Sequence, residues 1–269
     1  MAHPGGRWRV DPDHGVRLKD IDTAGTPGSD DEEETRAAVG PLTERLAALQ
    51  ERLWAEHARS VLVLLQAIDA GGKDGTVKHV FGAFNPSGAR VVSFRAPCQE
   101  DLDHDFLWRI HRHTPAKGEV VVFNRSHYED VLVVRVHDLV PEKVWRPRYG
   151  RINDFEHLLA ENGTTIVKLF LHISKEEQAE RLQARIDDPE KRWKFRRGDL
   201  DERARWDDYQ AAFEEAISRT STAHAPWFVV PADRKWYRNW AVSTILVETL
   251  EHLDPQYPPG DDTTGVVIR

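Results

Sequence analysis

Four stretches of the chain are apolar at nearly every position rather than at alternate ones: SVLVLLQAI (60–68), ARVVSF (89–94), GEVVVFN (118–124) and TTIVKLFLHI (164–173). PWFVVPA (226–232) makes a fifth. A run with no polar alternation has no solvent face, so each reads as a strand covered on both sides, the situation of a parallel sheet. Helical patterns separate the runs. Leu42, Leu46, Leu49 and Leu53 recur at three- and four-residue spacing, which predicts a helix over 34–57. Further helices are expected over 100–113, 126–140, 141–163, 174–188, 201–220 and 234–253. The third of these enters on proline and leaves on Asn-Gly; the fourth opens with the capping box Ser174-x-x-Glu177. Strands alternating with helices join by right-handed crossovers. The expected fold class is α/β, a three-layer α/β/α sandwich around a mainly parallel five-stranded sheet.

At 269 residues the chain can bury one large core. Its net charge of −8 is concentrated at the ends. Residues 1–35 hold nine acids against four bases, and residues 254–269 three acids against one base, which leaves 36–253 at −1. The first segment, rich in Gly, Pro and Asp without periodicity, reads as an acidic, mobile N-terminal arm. Residues 36–253 read as a single domain and 254–269 as a tail. No apolar run approaches the ~20 residues of a membrane span, and the leading residues lack a signal-peptide core. Cys98 has no second cysteine to pair with. These features predict a cytoplasmic protein without a membrane partner. The near-neutral body, with no recognised nucleic-acid module, argues against binding RNA or DNA.

The run that ends at Ile68 continues as DAGGKDGTVKHV, a glycine turn, a lysine and a helix. Gly71 and Gly72 let the backbone turn its N–H groups toward an oxyanion, and Lys73 adds a mobile positive charge. The simpler reading is a tight β–α turn with an incidental lysine. The usual phosphate loop follows its lysine with a hydroxyl that ligates Mg²⁺ and draws on an acid from a neighbouring strand. Here Asp74 replaces the hydroxyl, the nearest hydroxyl is on Thr76, and the neighbouring strand ends in uncharged Asn124. A hard cation needs anionic oxygen. Asp69 is the best remaining ligand, its alternative role being to close the turn or cap the helix.

Asn124, Arg125 and Ser126 fall at a strand's C-terminal end, where open α/β sheets bind ligands, and Arg125 there can fork onto phosphate. Arg135 interrupts an apolar helix face and needs an anionic partner: a phosphate, or Glu129 or Asp138 in an ion pair. Residues 190–206 (EKRWKFRRGDLDERARW) carry seven Lys/Arg against four acids. Arg192, Lys194, Arg196 and Arg197 suit a lid over phosphates, Trp193 and Phe195 a base-stacking surface, and the bland alternative is a solvated basic loop. Arg109, Arg112 and His113 form a second candidate basic stripe.

Taken together, AIDAGGKDGT, FNRSHYEDVLVVRVH, DPEKRWKF followed by R..WDDY..A, and LDPQYPP resemble the second family of polyphosphate kinases, over roughly 35–258. The resemblance implies a P-loop-kinase-like fold with a helical lid at about 188–206, dependence on Mg²⁺ (with Mn²⁺ as substitute), and a homodimer or homotetramer. It implies polyphosphate and nucleoside mono- or diphosphates as partners. It assigns catalysis to Asp69, the Mg²⁺ ligand, with Lys73 and Arg125. Gly71, Gly72, Lys73, Asp74, Gly75, Arg125, Arg135, Arg192, Lys194 and Arg196 would grip phosphates, and Asn124, Glu129 and Trp193 would face the nucleotide acceptor. Many relatives carry Trp-Tyr-Asn where this chain has His127-Tyr128-Glu129; the form here resembles the branch acting on AMP as well as ADP. Two other readings stay open at this point: an ATP-dependent nucleotide kinase, and a non-catalytic polyanion-binding protein.

Overall fold

β1 (Ser60–Gln66) is buried at all seven positions and lies at the centre of a five-stranded sheet of order β2-β3-β1-β4-β5. Its neighbours β3 (Val120–Asn124) and β4 (Thr164–His172) pair with it in parallel, Val61 opposite Val120 and Ser60 opposite Thr164. β2 (Ala89–Ser93) and β5 (Trp227–Pro231) complete the sheet, also in parallel. In chain order the helices are α1 (Glu32–Glu56), α2 (Lys73–His79), α3 (Gln99–Leu102), α4 (Trp108–His111), α5 (Val133–Val136), α6 (Glu142–Trp145), α7 (Arg148–Glu161), α8 (Lys175–Asp187), α9 (Gly198–Ala204), α10 (Trp206–Thr220) and α11 (Lys235–Leu253). α1 and α11 pack on each other, with α11 also against β4 and β5, and α7 packs on β4 and α10 in a separate layer. This is the expected three-layer, P-loop-kinase-like α/β sandwich. The computed structural model describes residues 5–264 and 266–268. Among them no helix is long and apolar enough to cross a membrane.

Several expected elements differ in detail. β2, an edge strand, is only half-buried and exposes Val91, so its apolar run does not signify two covered faces. The helix expected over 141–163 breaks into α6 and α7 at Pro147, which has no N–H to continue the first helix and caps the second. The helix expected over 100–113 survives as α3 and α4. The one over 126–140 becomes a 3₁₀ turn, His127–Asp130, followed by α5, because the Ser126 side chain accepts from the Tyr128 N–H and starts a tight turn.

The N-terminal segment departs most. From Gly5 onward the stretch expected to be mobile is packed. Arg9 makes an antiparallel bridge to Phe228, the Val10 N–H donates to the Trp227 carbonyl, and Val229 N–H to that of Trp8. Trp8, Val10 and Leu18 are buried, and the Trp8 indole donates to the Tyr237 hydroxyl at 2.9 Å. The arm covers the edge of β5, satisfying backbone groups and apolar surface that an open sheet edge leaves bare. Its apolar residues are too sparse to show a period, which is why composition alone misreads it.

One charged pair lies wholly inside. Lys168 of β4 donates to Glu156 of α7 at 2.5 Å and to the Thr220 carbonyl at 2.6 Å. The Tyr128 hydroxyl donates to Glu156 at 2.9 Å. Loss of hydration pulls the Lys168 pKa down while Glu156 opposes it, and the same pair holds the Glu156 carboxyl below its ordinary value against its own burial. This network seats the 127–130 turn.

Candidate active site

The site assembles at the C-terminal edge of the sheet, where β1 and β3 end side by side with Leu65 opposite Asn124. After β1 the chain leaves the ladder and turns through Asp69, Ala70, Gly71 and Gly72 into α2. Ala70 and Gly72 have left-handed backbones, φ 62° and 104°. Gly71 tolerates no side chain, since a Cβ there would fall 2.5 Å from that of Ala67. The Lys73 ammonium folds back over the loop and donates to the Ala67 carbonyl at 2.7 Å. Burial lowers its pKa, with Arg125 adding to the effect and Asp69 opposing it.

Arg125 leaves β3 with φ 63°, an uncommon backbone for a residue with a side chain, and its N–H is fixed to the Leu65 carbonyl. The guanidinium crosses to Asp69 and donates to Oδ1 at 3.0 Å. Glu129, half-buried on the following turn, faces the same charges: burial raises its pKa, and Arg125 and Lys73 oppose that rise. Arg125 itself is held above its ordinary value: burial works against its charge, but Glu129 and Asp69 outweigh it. Lys73 is held by backbone carbonyls, while Asp74 accepts from the Asn124 amide at 2.9 Å. The Thr76 hydroxyl is buried and donates to the Gly72 carbonyl, so it cannot replace the missing loop hydroxyl.

Asp69, Lys73, Arg125, Asn124, Asp74 and Glu129 are thus brought together with the loop glycines Gly71, Gly72 and Gly75. The remaining cations and Trp193 are not. Arg135 pairs with Glu215 at 2.6 Å and lies over the Trp145 ring, rather than with Glu129 or Asp138. Arg192, Trp193, Lys194, Arg196 and Arg197 form an exposed segment on a 3₁₀ turn and the approach to α9, and none of its four cations has an acidic partner among the described residues. Arg109 pairs with Asp101 while Arg112 stacks on Trp108, because the helix carrying them is a single turn.

Residues that the sequence did not single out brace the loop from behind. Gln178 of α8 donates to the Asp69 carbonyl at 2.9 Å and accepts from Arg203 of α9 at 3.0 Å. Arg181, one turn on, donates to the Ala70 carbonyl at 3.1 Å and to those of Ala232 and Asp233. On the lid side, the Tyr209 hydroxyl donates to Glu202 at 2.6 Å, and His137 lies 3.0 Å from the same carboxylate. The only sequence signal for the α8 contacts was the capping box that fixes where that helix starts.

A divalent cation fits the donors present. The second oxygen of Asp69 accepts no hydrogen bond from a described residue. No group of three His, Cys, Asp or Glu side chains is arranged to hold a metal among the described residues. One carboxylate with phosphate oxygens and waters completing the shell is the binding mode of Mg²⁺, not of an all-protein cage.

A sequence model of the polyphosphate kinase 2 (PPK2) family matches residues 29–258. The chain is 55% identical over 263 residues to an AMP/ADP-polyphosphate phosphotransferase of Meiothermus ruber, covering 97% of this chain and 98% of the relative. It is 44% identical over 264 residues to an ADP-polyphosphate phosphotransferase of Rhodopseudomonas palustris, covering 94% and 91%. The crystal structure of polyphosphate kinase 2 from Arthrobacter aurescens TC1 superposes with a TM-score of 0.93 at 47% identity, covering 96% and 93%.

Proposed function

This chain belongs to the polyphosphate kinase 2 family, and we propose that it moves the terminal phosphoryl group of inorganic polyphosphate to AMP or ADP, reversibly and with Mg²⁺. The observation that carries this is the meeting of Asp69, Lys73 and Arg125 at the ends of β1 and β3. Phosphate-to-phosphate transfer uses an oxygen already ionised near neutral pH as nucleophile, so a strong general base is not required. Alignment and charge neutralisation are, and two cations beside one carboxylate supply them. Lys73 and Arg125 grip the reacting phosphoryl group and stabilise the charge on its equatorial oxygens. Asp69 would hold Mg²⁺, which when bound would supply positive charge to neutralise the phosphates; Mn²⁺ has the same oxygen preference. The exposed cations from Arg192 to Arg197 suit a polyanion that is absent from the fold's own ion pairs. Glu129, beside Arg125 and Lys73, with Asn124 and Trp193, is assigned to the acceptor side.

An ATP-dependent kinase would need the loop hydroxyl that is missing here. A non-catalytic polyanion binder would not need Asp69 and Lys73, and both are in place. A homodimer or homotetramer acting in the cytoplasm remains part of the reading. The test is incubation with Mg²⁺, polyphosphate and each of AMP, ADP, GMP and GDP, the products resolved by anion-exchange chromatography. ATP formed from AMP and ADP is the expected result; no new phosphorylated nucleotide in any mixture would overturn it.

A further inference from the structure

Arg238, in the first turn of α11, is 3% exposed. Its Nε and Nη2 both donate to the neutral Asn239 amide oxygen, at 3.2 and 2.8 Å. No carboxylate lies within 4 Å of it among the described residues. Its guanidinium is instead pressed onto the phosphate loop. A Cβ on Gly72 would collide with its Nη1, and one on Gly75 would fall 3.2 Å from its Nη2. A second cation faces the same glycine: Arg181, whose Nη1 would be 3.3 Å from the same Gly72 Cβ. Burial first, then Arg181, push the Arg238 pKa down to about 10. A buried cation without a counter-ion is a net cost to a fold, and replacing it with an apolar chain of similar volume is commonly neutral or stabilising. Bracing alone does not account for it, since Arg181 and Gln178 already hold the loop's carbonyls.

We infer that Arg238 is an electrostatic positioning residue for the phosphate loop, its charge left uncompensated within the fold and compensated by the polyphosphate that the loop binds. It acts across Gly72 rather than by touching the substrate, and at that depth water screens it poorly. Gly72 and Gly75 are glycine partly to let the guanidinium approach. The inference rests on the polyphosphate reading above and adds a third cation to the field of Lys73 and Arg125.

The experiment compares the full chain with Arg238→Met, Arg238→Gln and Arg238→Lys. Thermal melting is followed with and without inorganic tripolyphosphate at constant ionic strength, alongside KM and kcat for phosphotransfer to ADP. In the neutral variants the expected result is a ligand-free melting temperature at or above that of the parent. Their tripolyphosphate-induced rise should be largely lost and KM for tripolyphosphate raised about tenfold or more. Lys should restore most of both. An undiminished rise with unchanged KM overturns the inference, as does failure of both neutral variants to fold, which would make the charge a requirement of the ligand-free fold. A parent protein that neither responds to tripolyphosphate nor transfers phosphate defeats the functional reading itself, which is a distinguishable outcome.

Discussion

Arg125 reaches from the end of β3 to donate to Asp69 beyond the end of β1, 3.0 Å away, and so ties together two loops that come from different strands. The pair sets a cation and an anion at one point of the sheet edge, where incoming phosphates and their counter-ion would divide the two charges between them.

Asp69→Asn keeps an acceptor for Arg125 but removes the charge a divalent cation needs. Lys73→Ala removes a cation whose amine only caps loop carbonyls. Each should lower kcat by about 100-fold or more, the scale of losing a preorganised charge in phosphoryl or acyl transfer. Circular dichroism and melting should stay near those of the parent. Parent-like turnover in either variant would refute the roles assigned.

Gln178 couples α9 to the Asp69 carbonyl through Arg203. Gln178→Ala cuts that link without touching a side chain of the site. The expected effect is a kcat about tenfold lower with a higher Mg²⁺ requirement and little change in KM for the nucleotide. Metal titration of initial rates measures it, and Gln178→Glu, which preserves only the acceptor to Arg203, should not restore the parent's metal dependence.

Lys168→Met strands the Glu156 carboxylate in the interior. A loss of about 3–5 kcal/mol is expected on equilibrium unfolding in urea. Adding Glu156→Gln should recover much of it, because the stranded charge is then gone. Equal destabilisation in single and double variants would show that the pair is not coupled.

His172 contacts the Leu18 carbonyl of the N-terminal arm at 3.1 Å. Its burial holds the imidazole pKa below the ordinary 6.5. Between 6.5 and that lower value the unfolded chain binds the proton and the folded one does not. Stability therefore falls as pH drops through this window and is fully retained above it. His172→Gln should lose less of its urea midpoint between pH 7.5 and pH 5.5 than the parent does.

The strands β1, β3, β4 and β5 were legible because burial on both faces leaves too few polar positions to break their apolar runs. Asp69, Lys73 and Arg125 were legible because a phosphate loop and the end of the next strand follow local chemistry. Arg181, Gln178 and Arg238 were not. Their roles depend on which turn of a distant helix faces the loop, and a single sequence carries no signal of that. Arg135 shows the converse: the need for an anionic partner was correctly read, but Glu215 lies 80 positions away and only the packing of α10 supplies it. Pro147 is a local signal of the α6–α7 break, since a proline inside a helical pattern interrupts it.

The docking of Trp8 against Tyr237 spans 229 positions. As the chain emerges from a ribosome, its first apolar side chains have no surface to settle on until β5 and α11 have been made. At a synthesis rate of ~5–20 residues per second, that delay is on the order of ten to fifty seconds. During it Trp8, Val10 and Leu18 are exposed and β5 has not formed. During synthesis the arm therefore cannot close over β5 until nearly the whole described chain has been made.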